Sequence, residues 1–487
     1  MHQALLVSEI LREILAHTDQ IARKSTAALA ATCKAFHEPA MDLLWAEMYQ
    51  LEPLLGCVTR LHPLIDWSGR IYHSAWAINV EPLSAHEARQ FLRHSTRVRS
   101  LEMSSYRLLK LLSVIPIETC IFPRLRSLTW NLFTVKYFDL FLPHTLRQCY
   151  ILSLKQLQSV VTRCAALELL SIQNSDTSTA DELSLLSDRV RLCKHLVTLS
   201  CPTLNWAAWK HLSNLPTLLT VSIVEARIAP PWSLEQGIIN FSPFLNVTAL
   251  SFRLHSAAYS MTILHHSQFP SLKEFEINLN VLSSAEAEQL FRALSHCKAC
   301  QTLEKITITL NDKYQPPLGN SLTVIPHLLC FTQLQTLRLT CGDTFIYLDD
   351  DLLLEAISTW PHIRTLEIED SGLRSSPVTF RALFTALRLR PQLHSLRVAI
   401  STVNINDIDT NAEPIQHSSL ETLQLETSEF LVADPEAVAR IIFTWFPCIN
   451  YVFGSTDDRE DRRDEVNKHL RSLKAAALHV TGAASNT

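Results

Sequence analysis

One apolar triplet recurs thirteen times between Val98 and Leu425: an apolar residue, then two more, three and five positions further on. The copies run from Val98/Leu101/Met103 and Leu125/Leu128/Trp130, through Leu272/Phe275/Ile277 and Leu334/Leu337/Leu339, to Leu420/Leu423/Leu425. A weaker copy stands at Ile449/Val452/Gly454. The second and third members lie two apart, the period of a strand with one buried face. A strand this short cannot stand alone. Stacked in parallel, the copies satisfy one another's backbone groups and share one apolar interior. Each buried Leu or Ile contributes roughly 1.5–3 kcal/mol, so the ladder supplies much of the stability.

Between many of the strands the period becomes helical, as at Ala287, Leu290, Phe291 and Leu294, or Val438, Ile441, Ile442 and Trp445. Ser84/Glu87, Thr179/Glu182 and Ser283/Glu286 have the spacing of capping boxes, and Ser376-Pro377 and Asp434-Pro435 mark two further helix starts. A bulky or thiol side chain usually stands three residues before the triplet, for example Phe122, Cys164, Phe269 and Trp360. Proline often follows it, as at Pro123, Pro270 and Pro361, and turns the chain into the next strand. Units of strand, turn and helix at an average spacing of about 27 residues match the leucine-rich-repeat pattern. The expected fold class is therefore α/β: a leucine-rich-repeat solenoid over 98–454, with parallel strands on the concave side and helices on the convex side. Residues 51–97, with Trp67, Trp76 and Ile78, are expected to link and cap its N-terminal end. Residues 455–487 are expected to form a charged terminal helix and a disordered tail.

Composition removes several function classes. The 487 residues carry a net charge of −5 and 47% apolar content, too balanced for a nucleic-acid partner to be implied. The 8 glycines form no phosphate-cradling motif. Charges interrupt every long apolar run, and Met1-His2-Gln3 lacks the basic start of a signal peptide, so the expectation is a cytoplasmic or nuclear protein without membrane spans. Most of the 12 cysteines occupy apolar repeat positions, as reduced core thiols do. His296, Cys297 and Cys300 have no second ligand pair at zinc spacing, and no nucleophile or metalloprotease motif is present. His265-His266, the only adjacent histidines, are expected on opposite faces of a strand. The expectation is a protein that is not an enzyme and uses no cofactor or metal.

Residues 1–50 break the triplet pattern and are helical in period, with apolar stripes at Leu6, Ile10, Ile14 and at Leu29, Cys33, Phe36. The wording from Leu6 to Leu15, the Cys33-Lys34-Ala35-Phe36 segment and the closing Leu44-Trp45 resemble an F-box. With the repeats behind it, the chain is similar to the F-box leucine-rich-repeat proteins abundant in mushroom-forming fungi. That resemblance implies docking on the Skp adaptor and cullin scaffold of a ubiquitin ligase through Leu5, Leu6, Ile10, Ile14, Leu29, Cys33, Phe36, Leu44 and Trp45. The family usually has a proline just before the helix-one glutamate, where this chain has Val7-Ser8. The alternative is a ligase-independent interaction scaffold whose helical module is only a structural cap.

If triplet residues point inward, the residue between the second and third members points out. This row is small and neutral at Thr129, Ser171, Ser200, Ser222 and Ser251, and charged or polar at Glu276, Arg338, Glu367, Arg397 and Gln424. Those five, with Glu369 nearby, are the candidates for contact with an unknown protein substrate. Two insertions, Tyr314 to Gly319 and Asn404 to Pro414, are further candidates, because loops on rigid scaffolds often carry binding.

Overall fold

The computed structural model describes residues 23–32, 34–65, 74–173, 179–225, 241–299, 301–310, 323–340, 346–369, 378–400, 419–426, 434–446, 448–449, 451–453 and 461–484. The chain forms two compact units, the first closing at Leu218 and the second opening at Leu219.

Among the described residues the first unit contains six parallel strands in sequence order: β1 (Glu47–Tyr49), β2 (Ser100–Met103), β3 (Ser127–Trp130), β4 (Gln148–Ile151), β5 (Leu169–Ile172) and β6 (Thr198–Cys201). The second contains nine: β7 (Thr220–Val224), β8 (Ala249–Leu254), β9 (Glu274–Leu279), β10 (Lys305–Leu310), β11 (Thr336–Thr340), β12 (Thr365–Glu369), β13 (Ser395–Ala399), β14 (Thr422–Glu426) and β15 (Val452–Phe453). Register follows the triplets, with Leu101 opposite Leu128 and Ile306 opposite Leu337. From Val98 to Val398 every triplet member is buried. Each unit is therefore a leucine-rich-repeat stack, its apolar residues on the helix side and the alternate residues on the open side.

The turns into the strands repeat as closely as the strands. Leu125, Leu272 and Ile363 donate their amides to the carbonyls of Phe122, Phe269 and Trp360, closing four-residue turns with proline second, the favoured place for its fixed φ. Two successive amides then share one carbonyl of the preceding repeat, as Gln335 and Thr336 share that of Glu304. All three capping boxes form, at Ser84/Glu87, Thr179/Glu182 and Ser283/Glu286, and Asp434 caps the helix Pro435–Trp445.

Four expectations need correction. Residues 1–50 are not helical throughout: Glu47–Tyr49 is a strand with only Met48 buried, and it covers the edge of β2. Two helices, Arg23–Thr32 and Lys34–Leu44, precede it. The helix expected to start at Ser376-Pro377, which lie outside the described residues, begins at Phe380 with Thr379 as its cap. Asp350 of the preceding helix fixes Thr379, accepting from its amide at 2.7 Å and its hydroxyl at 2.8 Å. His265 and His266 end the helix Ala258–His266 and are both exposed, so they are not strand residues. The terminal helix Asp461–Ala484 runs through Gly482, where a disordered tail is predicted; Asn467, buried within it, exchanges two hydrogen bonds with the backbone of Val452.

Candidate functional site

In the first unit the outward row is Tyr49, Glu102, Thr129, Tyr150, Ser171 and Ser200, directly opposite one another from strand to strand. In the second it is Ser222, Ser251, Glu276, Thr307, Arg338, Glu367, Arg397 and Gln424. Parallel pairing at one register brings the sequence candidates into one line on the second unit.

Four of them are already satisfied by one another. Arg338 Nε lies 2.8 Å from Glu367 Oε2, and the Ser395 hydroxyl donates to Glu367 Oε1 at 2.9 Å. Arg397 pairs with Glu369 at 2.5 Å, and Glu369 also accepts from the Thr340 hydroxyl at 3.4 Å. Two arginines and two glutamates thus form a neutral lattice over β11 to β13. Glu276 is exposed and stands outside these pairs, opposite Ser251 and Thr307. Gln424 continues the row between Arg397 and Phe453. Ion pairs on an open sheet face add about 0–1 kcal/mol each, so this lattice fixes side-chain positions more than it stabilises the fold.

The helical module places only some of its nine expected contacts. Leu5, Leu6, Ile10, Ile14 and Cys33 lie outside the described residues. Leu29 and Leu44 pack on the buried pair Ala30 and Ala40, and Phe36 is half-buried. Trp45 stacks on His94, ring centroids 4.7 Å apart and planes within 2°. Beside it Arg97 grips the helix Lys34–Leu44 through Glu38 at 2.6 Å and Asp42 at 2.5 Å. The module is thus clamped onto the segment just before the first repeat by a cation and an aromatic stack. Sequence reading missed this clamp, because its partners stand about fifty positions apart or more.

His296 is exposed and Cys297 buried, while Cys300 lies outside the described residues. Among the described residues no group of three or more His, Cys, Asp or Glu could hold a metal ion, and no helix is long and apolar enough to cross a membrane. The insertions at Tyr314 to Gly319 and Asn404 to Pro414 lie outside the described residues. Sequence reading also passed over the loops after β2 and β3, where Tyr106 and Phe133 are exposed; each falls at the same offset behind its triplet, the one signal that could have found them.

No family model matches the chain, and no curated protein matches it. Among solved structures, the TLR13–ssRNA13 complex is similar at 14% identity and a TM-score of 0.34, over 68% of this chain and 42% of that one. The chain thus spans less than half the length of that structure.

Proposed function

We propose that the chain is the substrate-recognition subunit of a Skp–cullin–F-box type ubiquitin ligase. In this reading the N-terminal helices dock the Skp adaptor and the repeat surface holds a protein target. Its mechanism is positioning: held in place, the target meets a conjugating enzyme at high effective concentration, with no reaction performed by this chain and no cofactor needed. The observation that supports it best is the clamp of Arg97 on Glu38 and Asp42 beside the Trp45–His94 stack. A loosely tethered module would let a target wander, whereas a clamped one transmits a fixed geometry. The same reading places the protein in the cytoplasm or nucleus, where such ligases act.

One observation favours the ligase-independent scaffold: Trp45, Leu29 and Leu44 already have partners inside the chain. Titration of the intact chain with purified Skp adaptor separates the two. Saturable one-to-one binding, abolished by Ile10→Asp at unchanged thermal stability, is the expected result. A folded chain that shows no binding removes the ligase reading and leaves the scaffold.

A further inference from the structure

The loops that follow β2, β3 and β4 form one edge of the first unit that carries cations and two exposed rings. Met103, Trp130 and Ile151 are opposite one another in the sheet, so these exits lie side by side at the strand spacing of about 4.8 Å. Tyr106 and Phe133 each stand three residues beyond the last paired position and are 55% and 64% exposed, although Leu108, Leu132 and Phe138 around them are buried. The loops are held in place. Gln50 Oε1 accepts the amides of Ser104 and Ser105, and the buried Gln156 amide group donates to the carbonyls of Leu132 at 2.7 Å and Thr134 at 3.2 Å. Two rings are therefore displayed on a preorganised surface, and exposed apolar patches on rigid loops mark interaction sites.

Charge specifies the partner further. The stretches 103–117, 131–138 and 151–158 contain Arg107, Lys110, Lys136 and Lys155 and not one aspartate or glutamate. Among the described residues none of these four cations forms an ion pair; Lys136 lies 4.9 Å over the Tyr137 ring. The chain as a whole has a net charge of −5, and on the outward face of the second unit Arg338 and Arg397 are neutralised by glutamates. Four cations on the same strand exits as two exposed rings complement carboxylates interspersed with an apolar side chain. Val135, 40% exposed beside Phe133, offers an aliphatic surface and no stacking face, which fits a peptide better than a nucleic acid.

We propose that the strand exits of the first unit bind an extended acidic segment of a partner protein, with an apolar side chain of that segment against Tyr106 and Phe133 and its carboxylates facing Arg107, Lys110, Lys136 and Lys155. This assigns the recognition role proposed above to a surface and a partner chemistry, and it rests on that role without depending on adaptor docking. The test is to pan a phage-displayed library of random twelve-residue peptides on the intact chain and to titrate the enriched peptides by fluorescence anisotropy. Acidic peptides with one or two aromatic or aliphatic residues are expected. Binding should fall roughly tenfold or more in K110E/K136E/K155E and in Y106S/F133S, weaken with added salt, and stay unchanged in R381A/R388A, two exposed cations on the helix Phe380–Leu389. All five altered loop positions except Tyr106 and Phe133 are exposed charges, and circular dichroism with thermal melting confirms that each variant folds. Absence of any saturable peptide, peptides without acidic residues, or peptides indifferent to both loop variants would overturn the proposal. Tighter, variant-sensitive binding of an oligothymidylate probe would overturn it in favour of a nucleic-acid surface. Loss of adaptor binding in the separate Skp titration, with peptide binding intact, would remove the ligase reading alone.

Discussion

His94 ties the helical module to the repeats in a form that acid should loosen. Its ring stacks on Trp45, its Nδ1 is buried without a hydrogen-bond partner, and burial, with Arg93 and Arg97 nearby, pushes its pKa below the ordinary value of 6.5. The unfolded segment takes up a proton as pH falls through 6.5, while the folded one resists, so in that range the open form binds more protons and stability declines with acidification. Corrected for the intrinsic exchange rate, which itself falls with pH, the protection of amides in the helix Lys34–Leu44 should therefore decline between pH 7.5 and 5.5, and His94→Phe, which keeps a ring for the stack, should flatten that dependence. An equal pH response in parent and variant would show that His94 does not control the contact. The buried thiols obey the same physics with the opposite sign. Burial lifts Cys164 and Cys193 to about 12 and raises Cys149 and Cys201 well above the ordinary thiol value, whereas Cys330 and Cys448 are exposed. At pH 8 a thiol reagent followed by peptide mass mapping should label Cys330 and Cys448 first and the four buried thiols only on unfolding. Native-state labelling of Cys149 at the rate of Cys330 would contradict its burial.

At the scale of elements, the capping box at the start of the helix Ala85–Leu92 shows how a local signal is reinforced from a distance. Glu87 accepts from Arg60 at 2.7 Å and from the Ser84 amide at 2.8 Å, and these bonds, Arg60 first, hold its carboxyl down from 4.5 to about 2. A depressed carboxylate stabilises the fold fully above 4.5 and loses that contribution as pH falls toward 2. Arg60→Ala should lower stability in urea at pH 7 by up to about 1 kcal/mol, because the pair is partly solvent-exposed. The gap to the parent should narrow between pH 4.5 and 2; a gap that persists at pH 2 would assign the loss to packing of the arginine stem instead. The Ser84/Glu87 spacing was legible in the sequence, and Arg60 was not. That division holds across the molecule. Triplets, turns and capping boxes were readable because each is set by residues within a few positions of one another. The strand Glu47–Tyr49 was not, since three residues are too few to show a period. Nor was the cap at Thr379, which Asp350 selects from the preceding repeat. Thr145, Thr217 and Thr302 likewise stand just before their triplets and donate to carbonyls of the repeat before, a recurring bridge that the apolar pattern conceals. On the candidate face, alternation identified Arg338, Glu367 and Arg397 as outward residues, but only the parallel register shows that Arg338 and Glu367 are neighbours and that Arg397 turns to Glu369.

For the molecule as a whole, the consequential property is that stability is distributed along the stack and not pooled in one centre. Leu337 is fully buried and directly opposite Ile306 and Leu366, so every contact of its strand partners belongs to an adjacent repeat. Leu337→Ala opens a cavity that costs about 2–5 kcal/mol. In a two-state globule that loss would raise exchange from global opening everywhere. In a nearest-neighbour stack it should raise exchange in β10, β11 and β12 and leave β2 to β6 at the parent rate, because terms between repeats fall away beyond the adjacent one. Hydrogen exchange read peptide by peptide decides this. A uniform rise would mean that the two units unfold as one cooperative block. A local rise carries a consequence for recognition: side chains on the second unit's outward face could be altered, even at a cost in local stability, without disturbing the strand exits after β2 and β3. Two surfaces on one chain could then acquire different partners by separate substitutions, which is the freedom that a repeat architecture offers and a single shared core denies.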